Sequence, residues 1–147
     1  WRSRTAGGVS VPASRDAISD LLTRYTYNGD RGHVDELATC FTAESSLEFP
    51  GALATGPEAI IAALTTGPAN PQRTFVRHHI TNPLIDIDGV MATARSYFLV
   101  VSNHGPDHSG TYDDRLVLTD GGWKFAHRRV RIDWQSPDSL FRSMTTR

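Results

Sequence analysis

The sequence contains little cysteine, no marked excess of charge of either sign and no long hydrophobic run. Cys40 is the single cysteine among 147 residues, so an internal disulfide is excluded. The formal net charge is -1, without the positive excess typical of nucleic-acid-binding proteins, and we expect no nucleic-acid partner. No apolar run reaches the roughly 20 residues that cross a bilayer, and the opening residues lack the apolar centre of a signal peptide. We therefore expect no membrane association and, by default, a cytoplasmic location.

Length and composition are those of one ordinary globular domain. Hydrophobic residues make up 39% of the chain and charged residues 21%. A chain of this length buries about two thirds of its unfolded surface, so its core needs neither a disulfide nor a metal. We predict a flexible arm at residues 1–13, a domain at residues 14–134 and a polar tail at residues 135–147, from which Leu140 and Phe141 can dock on a neighbour.

Helical periodicity is confined to the first half of the chain. The first predicted helix begins near Ser14, ends at Gly29 and carries its apolar residues on one stripe, namely Ile18, Leu21, Leu22 and Tyr25. A second helix is predicted over residues 32–41 and a third after Gly56. A short strand over residues 45–51 separates these two helices.

From residue 75 onward the hydrophobic pattern alternates, which is typical of strands. Four strands are predicted, at residues 75–88, 90–103, 110–120 and 122–134, joined by turns and by a polar loop at residues 104–109. Such short connections favour antiparallel pairing. Three helices followed by a meander predict an α+β domain, in which the helices pack on one face of a cone-shaped, curved antiparallel sheet.

Two adjacent histidines in the first of these strands raise the question of which one faces the interior. Successive strand side chains point to opposite faces, so only one of His78 and His79 can do so. If it is His78, Asp30 near the end of the first helix can accept its second ring N–H. A carboxylate in that role fixes the tautomer and makes the imidazole a better base. A zinc site is not expected, because adjacent strand residues diverge and no further ligands complete a tetrahedral set.

Several segments, spread over residues 14–134 and arriving in one order, resemble a known family. They are the stripe of the first helix with Asp30, the helix start at residues 56–60, the strand segment at residues 77–82 and the last strand at residues 122–128. Together they are similar to the SnoaL-like family of the nuclear transport factor 2-like superfamily. The resemblance implies a cystatin-like α+β barrel, in which the curved sheet and its helices enclose a conical cavity.

Within that family the chain is most similar to the branch that holds bile acid 7α-dehydratase and hexachlorocyclohexane dehydrochlorinase. These enzymes eliminate water or HCl from hydrophobic ring compounds with an Asp–His dyad. The separation of Asp30 and His78 along the chain matches the spacing of that dyad. Tyr25 resembles the tyrosine of the dehydratase, and Arg128 resembles the pocket arginine of the dehydrochlorinase. Arg129 is the alternative to Arg128 if the last strand contains a bulge.

Departures from other branches of the superfamily narrow the expected chemistry. Steroid isomerases carry their catalytic acid where this chain has Phe49, and limonene epoxide hydrolase carries an aspartate where this chain has Tyr97. Scytalone dehydratase is also similar, but its second catalytic histidine has a counterpart here only if His104 or His127 supplies it.

Several large apolar side chains are expected to line a pocket, although each can equally be ordinary core packing. They are Leu22, Phe41, Phe49, Phe75, Phe98, Tyr112 and Trp134. Asp114 shares a strand face with Tyr112 and can line the same pocket. Such a lining favours a polycyclic, terpenoid, steroid or polyketide substrate over a sugar or a nucleotide.

The sequence thus predicts a cofactor-independent lyase that binds a hydrophobic cyclic small molecule, with no metal. His78 is the expected base, Asp30 orients it, and Tyr25 and Arg128 stabilise negative charge. An isomerase or polyketide cyclase with the same base is the alternative. A non-catalytic binding or assembly domain is the second alternative, and it predicts either a filled cavity or a His78 ring bonded by backbone rather than by Asp30. The resemblance also implies a homo-oligomer, a dimer or a trimer, formed through the outer face of the sheet.

Overall fold

Three helices and six strands follow one another in the computed structural model, which describes residues 15–67 and 69–144. The helices are α1 (Arg15–Arg31), α2 (Val34–Ala38) and α3 (Pro57–Thr65). The strands are β1 (Phe41–Phe49), β2 (Ala52–Thr55), β3 (Val76–Asp88), β4 (Met91–Ser102), β5 (Gly105–Thr119) and β6 (Gly122–Gln135). No helix in the described ranges is long and apolar enough to cross a membrane.

All six strands belong to one sheet, in the order β2-β1-β6-β5-β4-β3. Strands β3 to β6 form a meander of antiparallel neighbours, because the connections between them are tight turns. The pairing of β1 with β6 is parallel, and β2 pairs antiparallel with β1 at the sheet edge. The α+β architecture with a curved sheet, predicted from the sequence, is confirmed.

Helix α1 is longer than its predicted span at the C-terminal end. It continues through Gly29 to Arg31, and Gly32 ends it with a φ of 68°, in the region that favours glycine. Asp30 therefore lies in the last helical turn rather than after the helix. Ser14, the predicted start, lies outside the described residues.

The second predicted helix, residues 32–41, is helical only at its centre. Helix α2 has five residues, and the chain turns at Thr39 and Cys40 before β1 begins at Phe41, which pairs with Phe125 of β6. The backbone N–H of Phe125 also donates to the carbonyl of Cys40 at 2.8 Å. Pairing with a distant strand thus ends the predicted helix early. The four residues of β2 were not predicted as a strand either, because so short a segment carries no readable alternation.

Bulges decide which side chains of β6 face the helices. Ala126 has no partner on β5, because Arg115 pairs with His127 while Leu116 pairs with Phe125. The inward set therefore passes from Phe125 to Arg128, and Arg128 rather than Arg129 is buried. A strand without this bulge would place Arg129 inside.

Two further register shifts interrupt the regular alternation of side chains along the strands. The β3–β4 register shifts between Thr81 and Leu84, where Asn82 adopts a φ of 53°. A third shift lies between Ile132 and Trp134 of β6, and it turns Trp134 to the outer face, where it is 45% exposed. Trp134 was predicted to line the pocket by simple alternation, and the bulge makes that prediction wrong.

The core lies between α1 and the inner face of the sheet. Ile18 and Leu21 of α1 are fully buried, as are Leu47 of β1 and Leu116 of β5. Full burial of such a side chain contributes about 1.5–3 kcal/mol. The Arg15 guanidinium also donates to the backbone carbonyl of Ile85, which fixes the start of α1 on β3. This packing sets the position of α1, and thereby of Asp30, relative to the sheet.

The C-terminal segment, residues 136–144, folds back onto its own domain. Leu140 is 6% exposed and Phe141 is half-buried against the core. These two residues therefore pack within the chain, and the prediction that they dock on a neighbour is wrong. Their apolar side chains find a closer partner in the end of the sheet.

Gly110→Ala tests how closely β5 and β6 approach at the bulge. A Cβ at position 110 would overlap the carbonyl oxygen of Arg131 and lie 2.8 Å from Phe98 Cζ. We predict a loss of about 3 kcal/mol in the free energy of unfolding, measured by urea denaturation. Gly29→Ala in α1 is the control, because an added Cβ there meets nothing within 4 Å, and it should stabilise by about 0.5–1 kcal/mol. Equal stability of the Gly110→Ala variant and the wild type would contradict the packing described.

Candidate active site

Asp30 and His78 meet between the end of α1 and the first half of β3. The imidazole Nδ1 of His78 lies 2.5 Å from Asp30 Oδ1, and the backbone N–H of His78 donates to Asp30 Oδ2 at 2.9 Å. The Asp30 side chain is 4% exposed and that of His78 is 25% exposed. Nδ1 is occupied by the carboxylate, and Nε2 has no hydrogen-bond partner within residues 15–67 and 69–144. The ring is therefore bonded by Asp30 and not by a backbone carbonyl.

Local preferences alone do not explain an aspartate at position 30. The last turn of a helix carries the negative end of the helix dipole, which repels a carboxylate. Burial adds a desolvation cost that only hydrogen bonds can offset. The neighbouring Arg31 suits a helix end far better, and its guanidinium lies 3.6 Å from the ring centre of Tyr27. A buried acid placed against these preferences and bonded to an imidazole is typical of a functional site.

His79 lies on the other face of the sheet. It is exposed there, together with Arg77. The prediction that His78 and not His79 faces the interior is confirmed, because the pleat sends adjacent side chains to opposite sides.

A second, unpredicted histidine lies beside His78. The ring centres of His78 and His108 are 6.4 Å apart, and His108 is 4% exposed. Its Nδ1 lies 2.7 Å from Asp107 Oδ1. Burial lowers the pKa of His108, and the nearby His78 lowers it further. The Asp107 carboxylate raises this pKa, but the net shift is downward. At neutral pH His108 is therefore uncharged, with Nδ1–H donating to Asp107 and Nε2 available as an acceptor.

His108 was missed because residues 104–109 were predicted to be a polar loop. Glycine and proline at positions 105 and 106 suggest a turn, yet β5 begins at Gly105 with a φ of 97°. A usable signal was present: the alternation of Tyr112, Asp114 and Leu116 extends back without a break to His108.

The two histidines considered as a second catalytic histidine lie elsewhere. His104 is exposed on the turn between β4 and β5. His127 lies on the outer face, where its Nδ1 is 2.7 Å from Ser46 Oγ. The histidine that lies beside His78 is His108.

An aromatic row connects the two imidazoles to the centre of the inner sheet face. Phe98 lies edge-on to His108 with ring centres 6.1 Å apart, and it stacks on Tyr112 at 4.4 Å. Tyr112 contacts Tyr25 edge-on at 6.1 Å, and Tyr25 contacts Phe41 at 6.0 Å. These four predicted residues lie on one continuous apolar surface that ends at the histidines.

Arg128 is fully buried beside the two tyrosines of this row. Its Nε and Nη2 donate to the two carboxylate oxygens of Asp114 at 2.7 and 2.8 Å. The guanidinium carbon lies 4.2 Å from the ring centre of Tyr25 and 4.0 Å from that of Tyr112. Burial alone would lower the pKa of Arg128, but the charge and hydrogen bonds of Asp114 raise it, so the pair is ionised. Asp114 was predicted either to line the pocket or to belong to a charged strand edge. In the structure its carboxylate neutralises the Arg128 guanidinium.

One buried donor in this cluster has no partner. Among the described residues, Nη1 of Arg128 makes no hydrogen bond. An unpaired buried N–H costs free energy, so it is a candidate donor for an oxygen atom of a ligand. Burial also raises the pKa of Tyr25, although the charge of Arg128 opposes this shift. Burial raises the pKa of Tyr112 well above its ordinary value. Both phenols therefore remain protonated donors at neutral pH.

The remaining predicted pocket residues lie outside this surface or within the core. Phe75 is 42% exposed, because it precedes β3 and no strand pairing turns it inward, so its prediction as a lining residue is wrong. Leu22 is buried in the core, and Phe49 is half-buried at its edge.

Two open cavities lie away from the dyad. One, of about 480 Å³, is on the outer face of the sheet and is lined mainly by charged residues such as Arg95, Asp113 and Arg129. The other, of about 290 Å³, lies beside α1 at Asp20 and Trp123. Neither contacts His78 or His108. Phe98 and Phe141 pack against His108, whereas the His78 side chain is partly exposed.

Comparison with known proteins assigns this fold to a family. The SnoaL-like domain matches residues 12–129, which is most of the chain. The chain belongs to the SnoaL-like family. The family predicted from the sequence is thus confirmed. No curated protein sequence matches the chain significantly.

Solved structures agree with this assignment. A protein of unknown function from Mycobacterium tuberculosis is 32% identical over 83% of this chain and 77% of its own, with a TM-score of 0.70. A candidate scytalone dehydratase from Novosphingobium aromaticivorans is 30% identical over 82% and 85%, with a TM-score of 0.71. A hexachlorocyclohexane dehydrochlorinase from Novosphingobium barchaimii is 21% identical over 85% and 90%, with a TM-score of 0.72, and shares the fold.

Asp114→Asn tests the buried ion pair. The amide keeps the shape of the side chain but leaves the Arg128 charge buried and uncompensated. We predict a loss of about 3 kcal/mol or more in the free energy of unfolding, measured by urea denaturation at neutral pH. Asp113→Asn is the matched control on the other face, where the Asp113–Arg95 pair is solvent-exposed, and it should change stability little. Similar losses in both variants would contradict the description of Arg128 and Asp114 as a coupled buried pair.

Proposed function

We propose that the protein is a cofactor-independent lyase that eliminates water, or a comparable leaving group, from a hydrophobic cyclic small molecule. The observation that carries this proposal is the 2.5 Å contact between Asp30 Oδ1 and His78 Nδ1, which leaves the second ring nitrogen of His78 free. Family membership supports the proposal, because the solved relatives include a candidate scytalone dehydratase and a hexachlorocyclohexane dehydrochlorinase.

In the proposed reaction, Nε2 of His78 removes a proton from a carbon next to an electron-withdrawing group. The electron pair of the broken C–H bond forms the new C=C bond, and the neighbouring C–O bond breaks with its electrons on oxygen. The proton passes from His78 to the departing hydroxide, so water leaves and the imidazole is regenerated. Asp30 stabilises the imidazolium that exists between these two proton transfers.

Negative charge that develops on the substrate oxygen needs donors in a dry environment. The hydroxyls of Tyr25 and Tyr112 and the unpartnered Nη1 of Arg128 are such donors, buried on the inner sheet face. The guanidinium is held in place by Asp114, so it loses no freedom when a ligand arrives. General acid–base catalysis by one residue contributes about 10²–10⁴-fold in rate, so these donors have to supply much of the remainder.

His108 is the fourth polar group within reach of the dyad. As a neutral imidazole bonded through Nδ1 to Asp107, it offers Nε2 as an acceptor for a substrate hydroxyl. We infer that it orients the leaving group relative to His78, whose ring centre is 6.4 Å away.

The substrate class follows from the surface beside the histidines. Phe98, Tyr112, Tyr25 and Phe41 present aromatic faces, and the few polar groups are the histidines at one end of the row and Arg128 beside the tyrosines. Such a surface favours a polycyclic, terpenoid or aromatic polyketide compound over a sugar or nucleotide. An isomerase or cyclase using the same base without loss of a leaving group is the alternative, and product analysis separates the two.

His78→Ala tests the proposed base. We predict a fall in kcat/KM of about 10²–10⁴-fold on a substrate that the wild type turns over, with the fold retained, because no other group occupies the position of Nε2. Scytalone and γ-hexachlorocyclohexane are the first probes, followed by mass spectrometry for loss of water and by chloride release. Asp30→Asn should lower kcat in the same direction, since the amide cannot stabilise an imidazolium.

His79→Ala is the matched control, because it removes the adjacent imidazole on the opposite face of the same strand. We expect it to keep the wild-type kcat/KM. Circular dichroism of all variants separates loss of chemistry from loss of fold. Equal turnover by His78→Ala and wild type, or equal losses in His78→Ala and His79→Ala, would refute the assignment.

A further inference from the structure

The C-terminal segment, residues 136–144, is attached to the domain in part through one buried carboxylate. Asp107 is 1% exposed, and its Oδ1 accepts hydrogen bonds from Ser139 Oγ at 2.7 Å and from His108 Nδ1 at 2.7 Å. Its Oδ2 accepts the backbone N–H of Leu140 at 2.9 Å, and its backbone carbonyl accepts the N–H of Ser136 at 2.7 Å. The same side chain therefore holds both the segment and the imidazole.

The segment carries an aromatic ring that covers this imidazole. Phe141 lies edge-on to His108 with ring centres 4.9 Å apart. The guanidinium carbon of Arg73 lies 4.3 Å from the centre of the Phe141 ring, and Asn70 Nδ2 donates to the carbonyl of Leu140 at 3.2 Å. Phe141 is thus in contact with His108 and with the loop that precedes β3.

We propose that Asp107 is a positioning residue that latches the C-terminal segment over the site, so that Phe141 closes the apolar surface above His108 and sets which substrates reach the two imidazoles. Only the expected effect of the latch on turnover rests on the proposed function. The latch itself is a statement about Asp107, His108 and the segment.

The segment has few buried apolar contacts that oppose its opening. Leu140 and Phe141 are its apolar residues that pack on the domain. Besides the contact of Arg73 with the Phe141 ring, its other contacts are hydrogen bonds, three of them through Gln135. An element with few buried apolar contacts opens locally at a lower free energy than the core. Because His108 is 4% exposed under Phe141, a ligand that contacts both imidazoles requires this opening.

The latch also ties closure to the chemistry. When the segment is closed, the hydrogen bonds from Ser139 and Leu140 fix the orientation of the Asp107 carboxylate, and the carboxylate in turn fixes Nδ1 of His108. Loss of the segment would leave the carboxylate free to rotate and the Nε2 acceptor of His108 without a fixed direction. Closure therefore positions His108 as well as excluding water.

Chemical modification of histidine by diethyl pyrocarbonate, mapped by mass spectrometry on the intact folded protein, tests the latch without a substrate. In the wild type we expect His108 to react slowly and the exposed His104 to react fast. Phe141→Ala should raise the modification rate of His108 several-fold, because the covering ring is removed. Asp107→Asn should raise it about tenfold, since one amide cannot replace a carboxylate that accepts from both the imidazole and the segment.

Two matched controls isolate the effect. Asp138→Asn removes a carboxylate from an exposed position of the same segment, and Phe75→Ala removes an exposed phenylalanine whose ring also lies near an arginine, Arg77. Neither should change the rate at His108, and His104 should react equally in every variant. Amide hydrogen exchange of the peptide that contains Leu140 should accelerate in Asp107→Asn and not in Asp138→Asn.

An unchanged modification rate of His108 in both Phe141→Ala and Asp107→Asn would overturn the proposal. If Asp107→Asn fails to fold, Phe141→Ala alone decides, because its ring is at the edge of the core. The outcome is independent of the proposed reaction. A protein in which His78→Ala retains turnover but Phe141→Ala exposes His108 has the latch and a different chemistry.

Discussion

The bidentate use of one carboxylate is the constraint on which the site depends. Asp30 binds the backbone N–H and the ring Nδ1 of the same residue, His78, so the end of α1, the register of β3 and the direction of the imidazole are fixed together. Such charge-assisted hydrogen bonds are the strong ones, and here they offset burial of a carboxylate at the unfavourable end of a helix. The packing of Ile18 and Leu21 beneath α1 supplies the stability that permits this arrangement.

The rest of the inner face extends this principle of hydrogen-bonded carboxylates on an apolar surface. Two further buried carboxylates are paired: Asp107 with the neutral imidazole of His108, and Asp114 with the charged guanidinium of Arg128. Between these pairs run Phe98, Tyr112 and Tyr25. Fixed donors and acceptors in a dry environment are the general means by which enzymes stabilise developing charge, and one face of one sheet provides them here.

Local patterns were enough to predict the helical stripe and the meander, and that only one of His78 and His79 faces inward, because these depend on periods of 3.6 and 2 residues. The choice of His78 came from the family resemblance, through its separation from Asp30 along the chain. The local patterns failed where pairing between distant strands determines which element a residue belongs to and which way its side chain faces. Phe41 belongs to β1 because it pairs with a strand more than 80 residues later along the chain, and Trp134 faces outward because of a bulge. Arg128, the arginine expected from the family resemblance, is buried rather than Arg129 because of another bulge. His108 and the latch at Asp107 were missed because glycine and proline at positions 105 and 106 suggested a loop and because the C-terminal segment looks like a polar tail until its hydrogen bonds are seen.

The central claim, that Asp30 holds His78 through Nδ1 and leaves Nε2 free as the base, is tested most directly by the tautomer of that ring. Long-range proton–nitrogen correlation spectra of protein labelled with ¹⁵N-histidine distinguish the two ring nitrogens. At a pH where the ring is neutral, the account predicts that Nδ1 of His78 carries the proton and that Asp30→Asn weakens this preference. A wild-type His78 that carries its proton on Nε2 would contradict it.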